Sequence, residues 1–159
     1  MEAPSAIAID RASPRDAGEI ATLYLASRAG ALPNLRRCHS DEEVRGWIGA
    51  VRLASGETLA AREAGHILGF LCRDGDVVDQ LYVLPGHFRR GIGSRLLAEA
   101  KERSPGRLRL FTFQRNAAAR AFYERHGFRL VGLNDGTRNE EGEPDALYEW
   151  RRSFSTRGL

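Results

Sequence analysis

The chemistry of the chain is most concentrated in Phe88-Arg89-Arg90-Gly91-Ile92-Gly93-Ser94. Glycines at 91 and 93 let the backbone turn tightly and come close to a ligand. Ile92, Leu96, Leu97 and Ala100 then recur at helical spacing, so the two glycines stand at a helix start. The first N–H groups of a helix have no acceptor within it and carry the positive end of its dipole. Such a turn suits an anion, phosphate above all. Arg89 and Arg90 add positive charge beside it. A dinucleotide fold asks for G-x-G-x-x-G, but Leu96 stands at the third glycine position. A nucleotide P-loop asks for G-K-[ST] after its glycines, and the stretch has none. A coenzyme A pyrophosphate loop satisfies the pattern. So does a plain helix start with solvated arginines.

The elements that must hold this turn can be read from periodicity and turn chemistry. Ala6 to Asp10 alternates weakly, as a first strand does. Pro14 then opens a helix whose apolar face is Ala17, Ile20, Ala21 and Tyr24, at i, i+3, i+4 and i+7. Ser40-Asp41-Glu42-Glu43 is a capping box and starts a second, short helix with Val44, Trp47 and Ile48. Three strands follow: Thr58 to Arg62, His66 to Arg73 and Val77 to Val83. The turns between them fall at Ala64-Gly65 and Asp74-Gly75, as in an antiparallel meander. The helix after the glycine turn stops near Ser104-Pro105-Gly106. Leu108 to Phe113 is a strand, Asn116 to His126 a helix stopped by Gly127, and Phe128 to Leu133 and Ala146 to Trp150 are the last strands. Arg152 to Leu159 is expected to fray. The order β-α-α-β-β-β-α-β-α-β-β predicts an α+β protein, a mixed and mostly antiparallel twisted sheet flanked by helices. The unit from Val77 to Phe113 can form a right-handed parallel crossover.

Composition bounds the rest. A length of 159 residues predicts a single domain over 1–159. The N-terminus lacks a basic and then apolar signal pattern, and no run approaches the ~18 apolar residues of a membrane span. No membrane partner is therefore expected. Two cysteines, Cys38 and Cys72, make no disulfide framework, which predicts a cytoplasmic protein. With His66 they are too scattered for zinc, so no metal is expected. A net charge of +3 is too weak to predict a nucleic-acid partner.

Two motifs in order resemble the GNAT N-acetyltransferase superfamily. Leu81-Tyr82-Val83-Leu84-Pro85, Arg90-Gly91-Ile92-Gly93 and Leu96-Leu97 resemble its acetyl-CoA loop. Asn116-Ala117-Ala118-Ala119-Arg120-Ala121-Phe122-Tyr123-Glu124-Arg125-His126-Gly127-Phe128 resembles its following helix, with an Asn, a Phe-Tyr pair and Gly-Phe. The matched block covers about residues 77–133. One departure is Phe88, where the family usually carries Gln or Arg.

The resemblance implies the acyl-CoA N-acyltransferase (GNAT) fold and an acetyl-CoA-dependent N-acetyltransferase. The coenzyme would be held by Leu81, Tyr82 and Val83, by the turn Arg89, Arg90, Gly91, Ile92, Gly93 and Ser94, and by Asn116 and Arg120. A backbone N–H near Leu81 or Val83 would polarise the thioester. Tyr123 would act as general acid on the departing thiolate; apart from the resemblance it reads as a packed aromatic beside Phe122. Asp79, on the strand that feeds the cleft, is a candidate base, with His39 and His87 as other options. Residues 135–145 carry Asp135, Glu140, Glu141, Glu143 and Asp145 against a single Arg138. With His39 at the acceptor side, Glu140 and Glu141 would select a small cationic amine; a solvated hairpin loop explains the acidic run equally. Peptide or protein N-acetylation and a non-catalytic acyl-CoA-binding module are the alternatives. A monomer or homodimer is expected.

Overall fold

The computed structural model describes residues 6–31, 38–49, 53 and 56–153. The strands are β1 (Ala8–Arg11), β2 (Glu57–Glu63), β3 (His66–Asp74), β4 (Val77–Val83), β5 (Arg107–Phe113), β6 (Arg129–Asn134) and β7 (Asp145–Arg151). The helices are α1 (Ala17–Ala31), α2 (Asp41–Trp47), α3 (Ile92–Arg103) and α4 (Ala117–Arg125), with a 3₁₀ turn at Pro14–Asp16. The element order expected from the sequence is the order observed. Of the tail expected to fray, residues 154–159 lie outside the described residues.

The seven strands form one sheet in the order β1-β2-β3-β4-β5-β7-β6. Every neighbouring pair is antiparallel except β4 and β5, the crossover pair joined through α3. That parallel pair matters most for the site. It is matched at a single register position, Val77 with Arg109, reinforced by the Arg109 amide donating to the Asp76 carbonyl at 2.7 Å. Beyond that point the strands splay, so the C-terminal halves of β4 and β5 leave a cleft in the middle of the sheet. A bulge adds to the divergence: Cys72 pairs Gln80 and Arg73 pairs Val78, which leaves Asp79 as the extra residue of β4.

The sheet is buried on both faces around β2 and β3. Leu59 and Leu71 pack with Ile92, Leu96, Leu97 and Ala100 of α3 and with Tyr123 of α4. Ala60, Phe70 and Cys72 pack with Ile20, Leu23 and Tyr24 of α1 and with Ile48. β3 is an interior strand, and its residues 67–72 are buried. Consequently it reads as a continuous apolar run rather than an alternating one.

An ion-pair cluster ties β1 and the first turn to β2. Arg62 donates to both carboxylate oxygens of Asp16, at 3.1 and 2.8 Å, and to Asp10 at 2.8 Å. Asp16 is held below the usual carboxylate range, chiefly by the Arg62 hydrogen bond and against the opposing effect of burial. A carboxyl that titrates lower when folded contributes stability that is complete above the unfolded range, ~4. That contribution is lost as pH falls through the depressed folded value. We therefore expect the urea midpoint to drop between pH 5 and pH 3, and this component of the drop to be absent in Asp16→Asn. Equal acid sensitivity of the variant would contradict the assignment.

Candidate active site

The glycine turn has the conformation its residues suggested. Arg89 (φ 68°) and Gly91 (φ 76°) both adopt left-handed backbone, and Gly91 is the N-cap of α3. An arginine in that region costs roughly 1–2 kcal/mol, so the surrounding structure must hold the turn in this geometry. The first intrahelical bond runs from the Arg95 amide to the Gly91 carbonyl at 3.0 Å, so the amides of Ile92, Gly93 and Ser94 stand ahead of the ladder. Gly93 also permits a close approach between helices, because a Cβ there would lie 3.3 Å from Cζ of Phe122 on α4.

This turn forms one wall of a cavity of about 620 Å³. Leu81, Tyr82 and Val83 of β4 form another, and Asn116, Phe122 and Tyr123 close it. The backbone of β4 here has free polar edges. The Leu84 amide donates to the Leu68 carbonyl of β3, so by strand alternation the amides of Leu81 and Val83 point into the splay. The Val83 carbonyl on that side is taken by the hydroxyl of Ser27 from α1.

A second cavity, of about 250 Å³, lies in the splay itself. Asp79, Gln80 and Leu81 of β4, Phe111 and Phe113 of β5, and Arg28, Glu141 and Asp145 line it. Leu81, Tyr82, Asn116, Ala119 and Tyr123 line both cavities, so the two share a wall that includes Tyr123. Tyr123 is only 9% exposed and packs against Phe122, Phe128 and Tyr148, with ring centroids 5.3, 5.6 and 6.5 Å away. Its hydroxyl has no hydrogen-bond partner among the described residues. Burial pushes its pKa up, so the phenol keeps its proton across the neutral range. Asn116 caps α4, its side-chain oxygen accepting the Ala119 amide at 3.1 Å.

The residues singled out from the sequence fall into three groups. Leu81, Tyr82, Val83, Arg89, Gly91, Ile92, Gly93, Ser94 and Asn116 line the larger cavity. Asp79 and Glu141 line the smaller one, and Tyr123 lines both, as do Leu81, Tyr82 and Asn116. Arg90, Arg120, His39 and Glu140 line neither. Arg90 turns away to Glu63, at 2.6 Å, and to the His87 ring. Arg120 donates to the Tyr148 hydroxyl at 3.0 Å and to the Gln114 carbonyl. His39 bridges Glu140 at 2.7 Å and Glu43 at 3.3 Å, and those bonds, the Glu140 one first, raise its pKa.

The acidic run is therefore largely compensated. Glu141 pairs with Arg28, Glu140 with His39, and Glu143 with Arg115 at 2.9 Å. Burial disfavours the charge on Arg28, but Tyr24, Glu141 and Tyr82 around it hold it protonated. Sequence reasoning missed Ser27, Arg28, Asn139 and His126. Arg28 and Glu141 are 113 residues apart, and no local pattern announces such a pair. His126 did carry a signal, since it stands beside the helix-stopping Gly127.

Among the described residues, no helix is long and apolar enough to cross a membrane. No group of three or more His, Cys, Asp or Glu among them could hold a metal ion.

Comparison with known proteins places this geometry. The family model of the acetyltransferase (GNAT) domain matches residues 54–130. The peptidyl-lysine N-acetyltransferase YiaC of Escherichia coli (strain K12) is 35% identical over 80 residues, 50% of this chain and 54% of that protein. The chain thus aligns with about half the length of this curated relative. Among solved structures, the apo form of YjaB from Escherichia coli superposes with a TM-score of 0.76 at 20% identity, covering 93% of this chain and 99% of that one. The GCN5-related N-acetyltransferase from Rhodopseudomonas palustris gives 0.74 at 24% identity, covering 95% and 99%. The PaiA N-acetyltransferase of Thermoplasma acidophilum, crystallised with coenzyme A, gives 0.69 at 20% identity, covering 92% and 99%. The chain has the GNAT fold, and residues 54–130, about half of it, match the GNAT acetyltransferase domain.

Proposed function

We propose that the protein is an acetyl-CoA-dependent N-acetyltransferase whose acceptor is a small, positively charged primary amine. The observation that carries this reading is the meeting of two cavities at a shared wall that includes the buried phenol of Tyr123. The larger cavity offers helix N-terminal amides and Arg89 to the coenzyme phosphates, and the free edge of β4 to the pantetheine amides. The smaller cavity admits an amine from the other side of Tyr123.

The chemistry is direct transfer. The amine lone pair attacks the thioester carbonyl carbon while an amide of Leu81 or Val83 stabilises the developing oxyanion. One such donor is worth ~3 kcal/mol. The tetrahedral intermediate then collapses, the C–S bond breaks, and the Tyr123 hydroxyl gives its proton to the leaving thiolate. Asp79, in the same cavity, is the candidate to take the proton that the attacking nitrogen loses.

Charge in the smaller cavity supports a cationic acceptor. Among the described residues, Asp79, Glu141 and Asp145 line it against one guanidinium, that of Arg28. Glu141→Gln is expected to raise KM for a diamine roughly 5- to 10-fold, the loss of about 1 kcal/mol of charge attraction, with much less effect on a neutral amine. An equal effect on both would contradict charge selection.

YiaC favours a second reading, since it is named for peptidyl-lysine as acceptor. A lysine tip presents the same ammonium chemistry to the cavity. Neither Cys38 nor Cys72 is in a disulfide, which fits the reducing cytoplasm. The test is release of free coenzyme thiol from acetyl-CoA against a panel of diamines, amino acids and lysine peptides. Release with the diamines supports the proposal. Release only with peptides moves the acceptor to protein lysines. Coenzyme binding without release for any amine would mean a binding module.

A further inference from the structure

His126 stands at the C-cap of α4, and its ring spans the gap to the first turn of α3. Nδ1 lies 2.7 Å from the Phe122 carbonyl oxygen, and Nε2 lies 2.9 Å from Oγ of Ser94. The ring also packs on Phe122, with centroids 4.4 Å apart. A carbonyl oxygen only accepts, so Nδ1 carries a hydrogen. In the neutral ring Nε2 is then an acceptor, and the Ser94 hydroxyl must donate to it.

That arrangement points the Ser94 proton away from any anion at the α3 N-terminus. Ser94 and His126 both line the larger cavity. His87, Arg89 and Arg125 line it too, and no carboxylate does among the described residues. On the far side, Lys101 of α3 donates to the His126 backbone carbonyl at 2.5 Å. The surroundings of the imidazole are therefore basic, and a ligand bringing negative charge would change its balance most.

We infer that His126 takes up a proton when the coenzyme pyrophosphate binds, and thereby turns Ser94 into a phosphate donor. The step balances simply. A proton from solvent adds to Nε2, and the Nε2–H bond then donates to Ser94 Oγ. The Ser94 hydroxyl hydrogen, released from Nε2, rotates to donate to a phosphate oxygen. His126 is thus a positioning residue that acts through Ser94. The inference rests on reading the cavity as the coenzyme site. Linkage sets the sign: a ligand that prefers the protonated ring binds more tightly as pH falls.

The probe is dephospho-CoA, whose pyrophosphate has no group titrating between pH 6 and pH 8. Calorimetry at pH 7 in two buffers of different ionisation enthalpy counts the protons exchanged. The wild-type protein is expected to take up a measurable fraction of one proton and to bind about 3- to 10-fold more tightly at pH 6 than at pH 8. His126→Gln keeps a side-chain amide near Nε2 but cannot titrate, and is expected to take up none and to lose the pH dependence. Nitrogen NMR of the wild-type ring gives a readout that needs no variant, since its protonated fraction should rise on binding. Binding with a neutral ring, or with equal proton uptake in His126→Gln, overturns this inference and leaves the coenzyme site standing. Failure of both dephospho-CoA and acetyl-CoA to bind overturns the coenzyme site itself, and this inference with it.

Discussion

Tyr123→Phe is expected to lower turnover at saturating substrates by at least about 10-fold while leaving acetyl-CoA affinity within about twofold. The substitution removes one oxygen and keeps the ring. The packing against Phe122, Phe128 and Tyr148 therefore survives, and so does the fold. What disappears is a buried hydroxyl without a hydrogen-bond partner among the described residues, on a residue of the wall that the two cavities share. Its raised pKa makes it a poor acid toward water but keeps it protonated for a thiolate formed beside it. Positioned proton transfer typically contributes 10²–10⁴-fold, and solvent access through the cleft would recover part of that. Unchanged turnover would reduce Tyr123 to a core aromatic. Steady-state kinetics and a coenzyme titration on the same preparation separate the two outcomes.

The second large effect is expected at a residue far from the reacting atoms. Gly69 lies on β3 beneath the first turn of α3. A Cβ there would fall 2.8 Å from Cγ2 of Ile92, 3.1 Å from the Tyr82 carbonyl oxygen and 3.2 Å from Cδ1 of Leu96. Ile92 and Leu96 are buried and cannot swing aside, so the helix start or β4 must move. Gly69→Val is thus expected to cost about 1–3 kcal/mol by overpacking. For a domain of this size that lowers Tm by roughly 3–10 °C. The displaced turn carries the amides of Gly93 and Ser94, so coenzyme affinity should fall as well, by at least about fivefold. Thermal unfolding and a coenzyme titration check both. A variant with native Tm and native affinity would show that α3 is not braced on β3 in this way.

These two residues illustrate how far the sequence could be read. Tyr123 sits within a local motif, and its helix, its cap at Asn116 and its stop at Gly127 all lie within twelve residues of chain. Local periodicity and capping chemistry reach that far, and the same holds for the glycine turn and for the order of strands and helices. Gly69 gives no such signal. Its need for hydrogen in place of a side chain comes from α3, which crosses over β3 only in the folded sheet. The bulge at Asp79 and the divergence of β4 from β5 are likewise products of pairing. Partner choice among arginines was the least legible feature. Arg89 and Arg90 are neighbours in sequence, yet the left-handed backbone at Arg89 leaves it on the cavity while Arg90 reaches Glu63. Similarly, the acidic run looked unopposed because Arg28, His39 and Arg115 come to it from distant elements.

The hairpin loop beside the smaller cavity is fastened by the same long-range contacts. Cys38 Sγ donates to the Glu140 carbonyl at 3.3 Å, and His39 holds the Glu140 side chain, so the segment before α2 is fastened to the loop between β6 and β7. Arg28 reaches the same loop from α1. Arg28 of α1 and Asn139 and Glu141 of the hairpin loop line the smaller cavity. Asp145 lines that cavity too, its two carboxylate oxygens accepting from Asn134 at 2.9 Å and Asn139 at 3.2 Å.

The measurement that bears most directly on the whole account is a crystal structure of the protein grown with acetyl-CoA. Pyrophosphate oxygens are expected within hydrogen-bond distance of the amides between Gly91 and Ser94. The pantetheine is expected along Leu81 to Val83, with the thioester sulfur beside the Tyr123 hydroxyl. Phosphates bound away from the start of α3, or a sulfur that does not reach Tyr123, would contradict the account.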